Sequence, residues 1–219
     1  MKLWNFSPMK CAICRLYACY EELPICHHCL HTFQSILTEK CKKCGRPPYS
    51  CDCNGDTRFL FFFHTAEARI FMYFVKCNGD RRIMNFLAET AIKVCGINPK
   101  AFDGVTYVPR LKRRTRRYGY DQSKEFAKAI SKIFGIPLVH TLKRVGGSDQ
   151  KLLSYAQRMK NIKGRYKLRN IPAEKYKRLL LVDDIITTGA TTKVCSNLLK
   201  GNVTKSIRVL AMAKTTKLK

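Results

Sequence analysis

Leu179-Leu180-Leu181-Val182-Asp183-Asp184-Ile185-Ile186-Thr187-Thr188-Gly189-Ala190-Thr191-Thr192 is the stretch whose reading decides the fold. Its four opening apolar residues read as a strand buried on both faces, the kind found in parallel sheets. Two carboxylates follow at the strand's carboxyl end, then small hydroxyl residues around one glycine. Ala190, Val194 and Leu198 recur at helical spacing, which predicts a helix starting near Thr191. A strand, a tight loop of small residues and a helix amino terminus make an anion site. Backbone N–H groups point outward there and the helix dipole favours negative charge. Thr187, Thr188, Thr191 and Thr192 add hydroxyl donors around Gly189 and Ala190. Asp183 and Asp184 repel a phosphate and suit sugar hydroxyls or, through water, a magnesium ion. The expected ligand therefore carries both a phosphate and a diol, as a ribose 5-phosphate does. An ordinary N-capped helix is the plainer alternative, but two adjacent aspartates at a strand end have no packing value.

The 219 residues suffice for one ordinary domain with a small appendage. No apolar run approaches the roughly 20 residues that span a bilayer. Met1 to Pro8 lacks the apolar core and cleavage site of a secretory signal, so a cytoplasmic location is expected. The formal charge is +27, and its distribution is uneven. Residues 1–55 hold seven bases and four acids, a balance of +3, while residues 56–219 carry +24. Such a surface attracts phosphate-rich partners in a salt-dependent way.

Eight of the twelve cysteines fall in close pairs, Cys11/Cys14, Cys26/Cys29, Cys41/Cys44 and Cys51/Cys53. Each pair offers two thiolates to one tetrahedral ion, so four pairs predict two structural zinc sites. A disulfide framework does not suit a chain without a signal peptide. Sequential pairing joins Cys11, Cys14, Cys26 and Cys29 at one ion and Cys41, Cys44, Cys51 and Cys53 at the other. It closes shorter loops than a cross-braced arrangement. Gly45 suits a knuckle whose backbone turns toward sulfur, whereas Arg15 at the equivalent place is less typical. Two zinc–tetrathiolate centres bring this module from +3 to −1. The module is therefore expected to be structural or partner-directed rather than phosphate-binding.

Beyond the Asn54-Gly55-Asp56 boundary, Arg58 to His64 reads as a strand, and Ala66 to Val75 and Arg81 to Val94 as helices. Lys76 to Asp80 reads as the turn between them. Phe102 to Pro109 is the next strand. It leads into Arg110-Leu111-Lys112-Arg113-Arg114-Thr115-Arg116-Arg117, six bases in eight positions. A helix with Phe126, Ala129, Ile130 and Ile133 follows. This unit is expected to face the acidic loop across a parallel sheet, its bases placed to neutralise a diphosphate. A solvated face or a nucleic-acid patch is the alternative, and the roles are compatible. Ile136 to Val139 reads as a short strand, Gly146 to Arg169 as a Gly-hinged basic lid, and Asn202 to Lys214 as the last strand.

The run from Leu179 to Thr191 resembles the phosphoribosyl-diphosphate (PRPP) binding signature of type I phosphoribosyltransferases. With the other motifs in order, the chain resembles the ComF/ComFC competence family over nearly its whole length. That family's middle motif is matched by Val108-Pro109, the bases, and Tyr118-Gly119-Tyr120-Asp121-Gln122. Tyr118 and Asp121 depart from the family's Arg and Asn, and Arg116 or Arg117 offers a substitute for the former. Gln150, Leu153, Ser154, Arg158 and Asn161 match a second segment. The resemblance implies a type I phosphoribosyltransferase-like α/β fold over residues 56–219, a parallel sheet flanked by helices, preceded by a double zinc ribbon over residues 1–55. It implies binding of PRPP through Asp183, Asp184, Thr187, Thr188, Gly189, Ala190 and Thr191, with magnesium. It further implies binding of diphosphate or single-stranded DNA through Arg110, Arg113, Arg114, Arg116, Arg117 and Arg158. The implied role is DNA uptake in natural transformation, with a competence helicase as a further partner. Tyr118 and Tyr120 are candidates for stacking bases. The alternative is an active phosphoribosyltransferase, for which Asp184 is the candidate general base.

Overall fold

The computed structural model describes residues 9–16, 23–51, 53, 55, 57–111, 115–116, 119–145, 162, 164–171 and 176–215. The helices are α1 (His27–Thr38), α2 (Ala66–Asn78), α3 (Arg81–Val94), α4 (Gln122–Phe134) and α5 (Ala190–Leu199). The strands are β1 (Thr57–Phe62), β2 (Gly104–Tyr107), β3 (Leu142–Arg144), β4 (Tyr166–Leu168), β5 (Arg178–Ile186) and β6 (Ser206–Lys214). A parallel sheet has the order β1-β6-β5-β2, and β3 and β4 pair as an antiparallel ribbon.

β5 lies inside the sheet, and its apolar run divides between two cores. Leu180 and Val182 face the cluster built with α2, α3 and α4, whereas Leu179 and Leu181 face Val194, Cys195 and Leu199 of α5. Burial on both faces is what four apolar residues in succession require, since alternate side chains point to opposite sides. The strand does not stop before the acids. Its ladder with β6 continues through Asp183↔Ala211 to Ile186↔Lys214, so both carboxylates are held within a strand rather than on a loop. The expected strand at Ile136–Val139 shrinks to a single parallel bridge between Leu138 and Val105. Val105 donates to Pro137 O and accepts from Val139 N, and Pro137 has no N–H with which to extend the ladder.

Chain direction places the site. From β2 the chain passes through α4 to Leu138 on the outer edge; from β5 it passes through α5 to β6 on the opposite side. The carboxyl ends of β2 and β5 therefore flank a topological switch point, where open parallel sheets bind ligands.

The cysteine-rich segment is packed onto this sheet. Phe33 of α1 stacks on Phe71 at 5.3 Å between centroids and meets Phe61 and Phe86 edge-on. Cys11, Cys26 and Cys29 belong to the same core as Phe61 and Met72. Cys41 and Cys51 lie on the other side, against Phe59, Phe62 and Ile186.

Candidate functional site

The eight paired cysteines assemble as two sequential groups, Cys11/Cys14/Cys26/Cys29 and Cys41/Cys44/Cys51/Cys53, with all four sulfurs of each group within 4.8 Å of one another. Sulfurs on a tetrahedral zinc at about 2.3 Å stand roughly 3.8 Å apart. Cys14 Sγ to Cys26 Sγ is 3.8 Å and Cys44 Sγ to Cys51 Sγ is 3.6 Å. Cys11 Sγ also accepts N–H groups from Ile13 at 3.4 Å and Cys26 at 3.3 Å, bonds suited to a thiolate. Donor set and spacing fit zinc, so the two clusters could hold two zinc ions with a structural role. Arg15 (φ 63°) and Gly45 (φ 68°) take the same left-handed conformation. Each donates its N–H to the first cysteine of its pair, Arg15 to Cys11 O at 3.0 Å and Gly45 to Cys41 O at 2.8 Å. The first knuckle thus imposes on an arginine a backbone that glycine adopts freely.

At the switch point Asp183 and Asp184 are both buried. Asp184 forms a buried ion pair with Arg110, from the segment after β2, and lies 3.6 Å from Lys76 Nζ at the end of α2. Ser123 of α4 completes the set: its hydroxyl is 3.1 Å from Asp183 Oδ1 and accepts the Asp184 N–H at 3.1 Å. Burial works against the Asp184 charge, but the Arg110 and Lys76 cations outweigh it and hold the carboxyl below its ordinary range. Asp183 goes the other way. Burial, then the neighbouring Asp184 charge, push it well above that range. The pair thus divides into one carboxylate held ionised and one favoured as the acid.

This split has a consequence for stability. A carboxyl whose folded pKa exceeds its unfolded value ionises more readily in the unfolded chain, so stability falls as pH rises from the ordinary carboxylate range toward the raised value. Asp183→Asn, which keeps an oxygen for Ser123 and the Asp184 N–H, is expected to remove that fall. Urea melts of parent and variant from about pH 4 to 8 should diverge, with the variant gaining at the upper end. A constant difference across the range would remove the assignment.

Beyond the acids, Gly189 turns the chain with φ 75° and α5 begins at Ala190. Thr188 Oγ1 accepts the Ala190 N–H at 3.4 Å, and Thr192 Oγ1 donates to Gly189 O at 3.0 Å. Thr187, Gly189, Thr191 and Thr192 line a small hollow with Asp183. The acids and the hydroxyl loop are therefore contiguous, and Arg110 joins them from across the sheet. Arg116 is exposed, and Thr115 before it donates its N–H to Leu111 O at 3.1 Å. Arg113, Arg114, Arg117, Tyr118 and Arg158 lie outside the described residues, as do Gln150, Leu153, Ser154 and Asn161.

Several placements differ from expectation. Tyr120 is half-buried: its hydroxyl donates to Val75 O and burial pushes it up to about 12, while the side chain also lines an open pocket with Gly79, Thr115 and Lys124. Asp121, where the resembled motif has Asn, uses both oxygens as acceptors, from Arg110 N at 3.0 Å and from Lys124 N at 3.2 Å as the α4 cap. Lys76 and Ser123 are site residues that the sequence reading does not single out. The one signal for Lys76 is its place in the last turn of an amphipathic helix. Ser123 follows Asp121-Gln122 directly, in the motif's continuation.

No protein-family model matches the chain. It is 34% identical over 115 residues to Competence protein F of Haemophilus influenzae, an alignment covering 51% of this chain and 50% of that protein. The chain thus spans about half the length of the curated relative it matches. Among solved structures, glutamine PRPP amidotransferase from B. subtilis, complexed with ADP and GMP, is 20% identical with a TM-score of 0.40, covering 60% of this chain and 25% of that one. Purine phosphoribosyltransferase from Pyrococcus horikoshii is 20% identical with a TM-score of 0.36, covering 73% and 78%. At TM-scores this low the fold rests on the sheet order and register rather than on these likenesses. Over the aligned half the chain is thus similar in sequence to a competence protein, and it also carries two four-cysteine clusters that could hold zinc.

Proposed function

We propose that the chain binds PRPP or a related phosphoribosyl ligand at the carboxyl ends of β2 and β5, binds single-stranded DNA on its basic surface, and acts in the cytoplasm in DNA uptake during natural transformation. The observation that carries the ligand reading is the Arg110–Asp184 pair at the switch point beside the hollow that Asp183 shares with Thr187, Gly189, Thr191 and Thr192. The acids suit ribose hydroxyls and magnesium, and the N–H groups that open α5 suit the 5-phosphate. The DNA reading rests on the +24 balance of residues 56–219 and on the sequence likeness to a protein named for competence. In this reading residues 1–55 are the zinc module and residues 56–219 the ligand-binding part, with a competence helicase as a further partner.

Calorimetry with PRPP and magnesium should show saturable binding that Asp183→Ala with Asp184→Ala abolishes. Binding to single strands should survive that double change and be lost when Arg113, Arg114, Arg116 and Arg117 become Ser. Its affinity should fall steeply with salt, by a factor of roughly 10²–10⁴ between 50 and 200 mM if about six to ten phosphates are contacted. A flat salt response would remove the DNA reading.

A second reading is transfer of ribose 5-phosphate from PRPP to a base-containing acceptor. It is favoured by the two cations, Arg110 and Lys76, that converge beside the acids, where a departing diphosphate would find compensation. Asp184 is the candidate base. Diphosphate release, assayed with a panel of bases and with DNA, decides it: no release with any acceptor leaves binding alone.

A further inference from the structure

The turn between α2 and α3 touches both the first four-cysteine cluster and the acidic site. Asn78 Nδ2 donates to Ile13 O and, at 3.4 Å, to Ala12 O. Those two carbonyls lie between the ligands Cys11 and Cys14, inside the knuckle. Arg15, which closes the knuckle, donates back to Asn78 O at 3.1 Å and pairs with Asp80 at 3.2 Å. On the other side, the end of α2 and this turn are pinned by Tyr120, just before α4, and by Gln122 at its start. Tyr120 donates to Val75 O, Gln122 to Lys76 O at 3.4 Å, and a Cβ on Gly79 would meet the Tyr120 ring at 3.3 Å. Lys76, two residues before Asn78, reaches Asp184 at 3.6 Å.

We propose that the first four-cysteine cluster, once metallated, is a strut for the ligand site: it holds the Asn78–Asp80 turn through Asn78 and Arg15, and so keeps the Lys76 ammonium against Asp184. A metal ion that joins Cys11 and Cys14 to Cys26 and Cys29 closes the knuckle between them and so fixes its two carbonyls. The second cluster packs against Phe59, Phe62 and Ile186 on the opposite side and makes none of these bonds. Arg15 and Asn78 are thus positioning residues, and their effect on ligand rests on the phosphoribosyl reading above.

The test uses the zinc-loaded full chain and two variants that keep all eight cysteines. Arg15→Gly suits the left-handed backbone and removes the side chain; Asn78→Ala removes the bonds to the knuckle. Both should retain the parent's zinc content, with amide exchange over residues 75–82 faster by about tenfold, the equivalent of one lost hydrogen bond to a charged or ordered partner. PRPP affinity should fall several-fold. Cys44→Ser, which opens the second cluster, should lose one zinc and leave exchange over 75–82 unchanged. Unchanged exchange in both Arg15→Gly and Asn78→Ala, or faster exchange in Cys44→Ser alone, overturns the strut. Faster exchange with undiminished PRPP affinity overturns its link to the ligand site. A parent that binds no PRPP overturns the phosphoribosyl reading, while the exchange data still decide the strut.

Discussion

Cys11→Ser is expected to lower the zinc content from two ions per chain to one and to cost more stability than the same change at the exposed Cys53. Cys11 has no solvent exposure, receives two N–H groups, and shares a core with Phe33, Phe61 and Met72. Structural zinc contributes about 10–16 kcal/mol of apparent binding free energy to small modules. Losing even a third of that is comparable with the roughly 5–15 kcal/mol that holds a typical domain together. The loss should not stay local, because α1 lays Phe33 on three rings of the sheet domain. Metal analysis alongside a thermal melt checks this, with Cys53→Ser, at the exposed rim of the other cluster, as the milder comparison. Two zincs retained in Cys11→Ser would remove the assignment of that residue as a ligand.

Arg110→Ala is expected to lose both ligand binding and stability. It leaves Asp184 buried, with Lys76 3.6 Å away as its remaining ion-pair partner among the described residues. Removing one partner of a buried ion pair costs about 3–5 kcal/mol, because the other charge stays behind without water. The sign with pH is defined. Asp184 is held below the ordinary carboxylate range, first by Arg110, so its contribution is present above that range and is lost on acidification. Parent and Arg110→Ala melts should therefore differ most near neutrality and converge toward about pH 3. Arg110→Lys should restore part of the stability and less of the ligand affinity, since an ammonium lacks the planar fork of a guanidinium. An Arg110→Ala protein with parental melting at pH 7 and intact PRPP binding would show that the pair contributes to neither.

The sequence by itself determined the parts that depend on local pattern. Leu179 to Val182 read as a strand buried on both sides, because a run of four apolar residues closed by charged and turn-forming neighbours is too short for a buried helix. The Cys-x-x-Cys and Cys-x-Cys spacings placed the candidate metal ligands in four pairs, and the glycine among threonines marked the start of α5. These signals span a few residues each, and short-range sterics and ligand geometry suffice to read them. Tertiary structure decided what depends on residues distant in the chain. It showed the acids inside β5 rather than after it, because β6 keeps pairing as far as Lys214. It gave Asp184 its charge partners from residues 76 and 110, and gave Asp121 its two acceptor roles. It also turned the cysteine module from an apparent appendage into part of the sheet's core. Leu179 to Thr192 thus gathered the acids, the hydroxyls and the helix start into one stretch, but which carboxyl is ionised, and which cation it faces, follows from burial and from neighbours that only folding brings together.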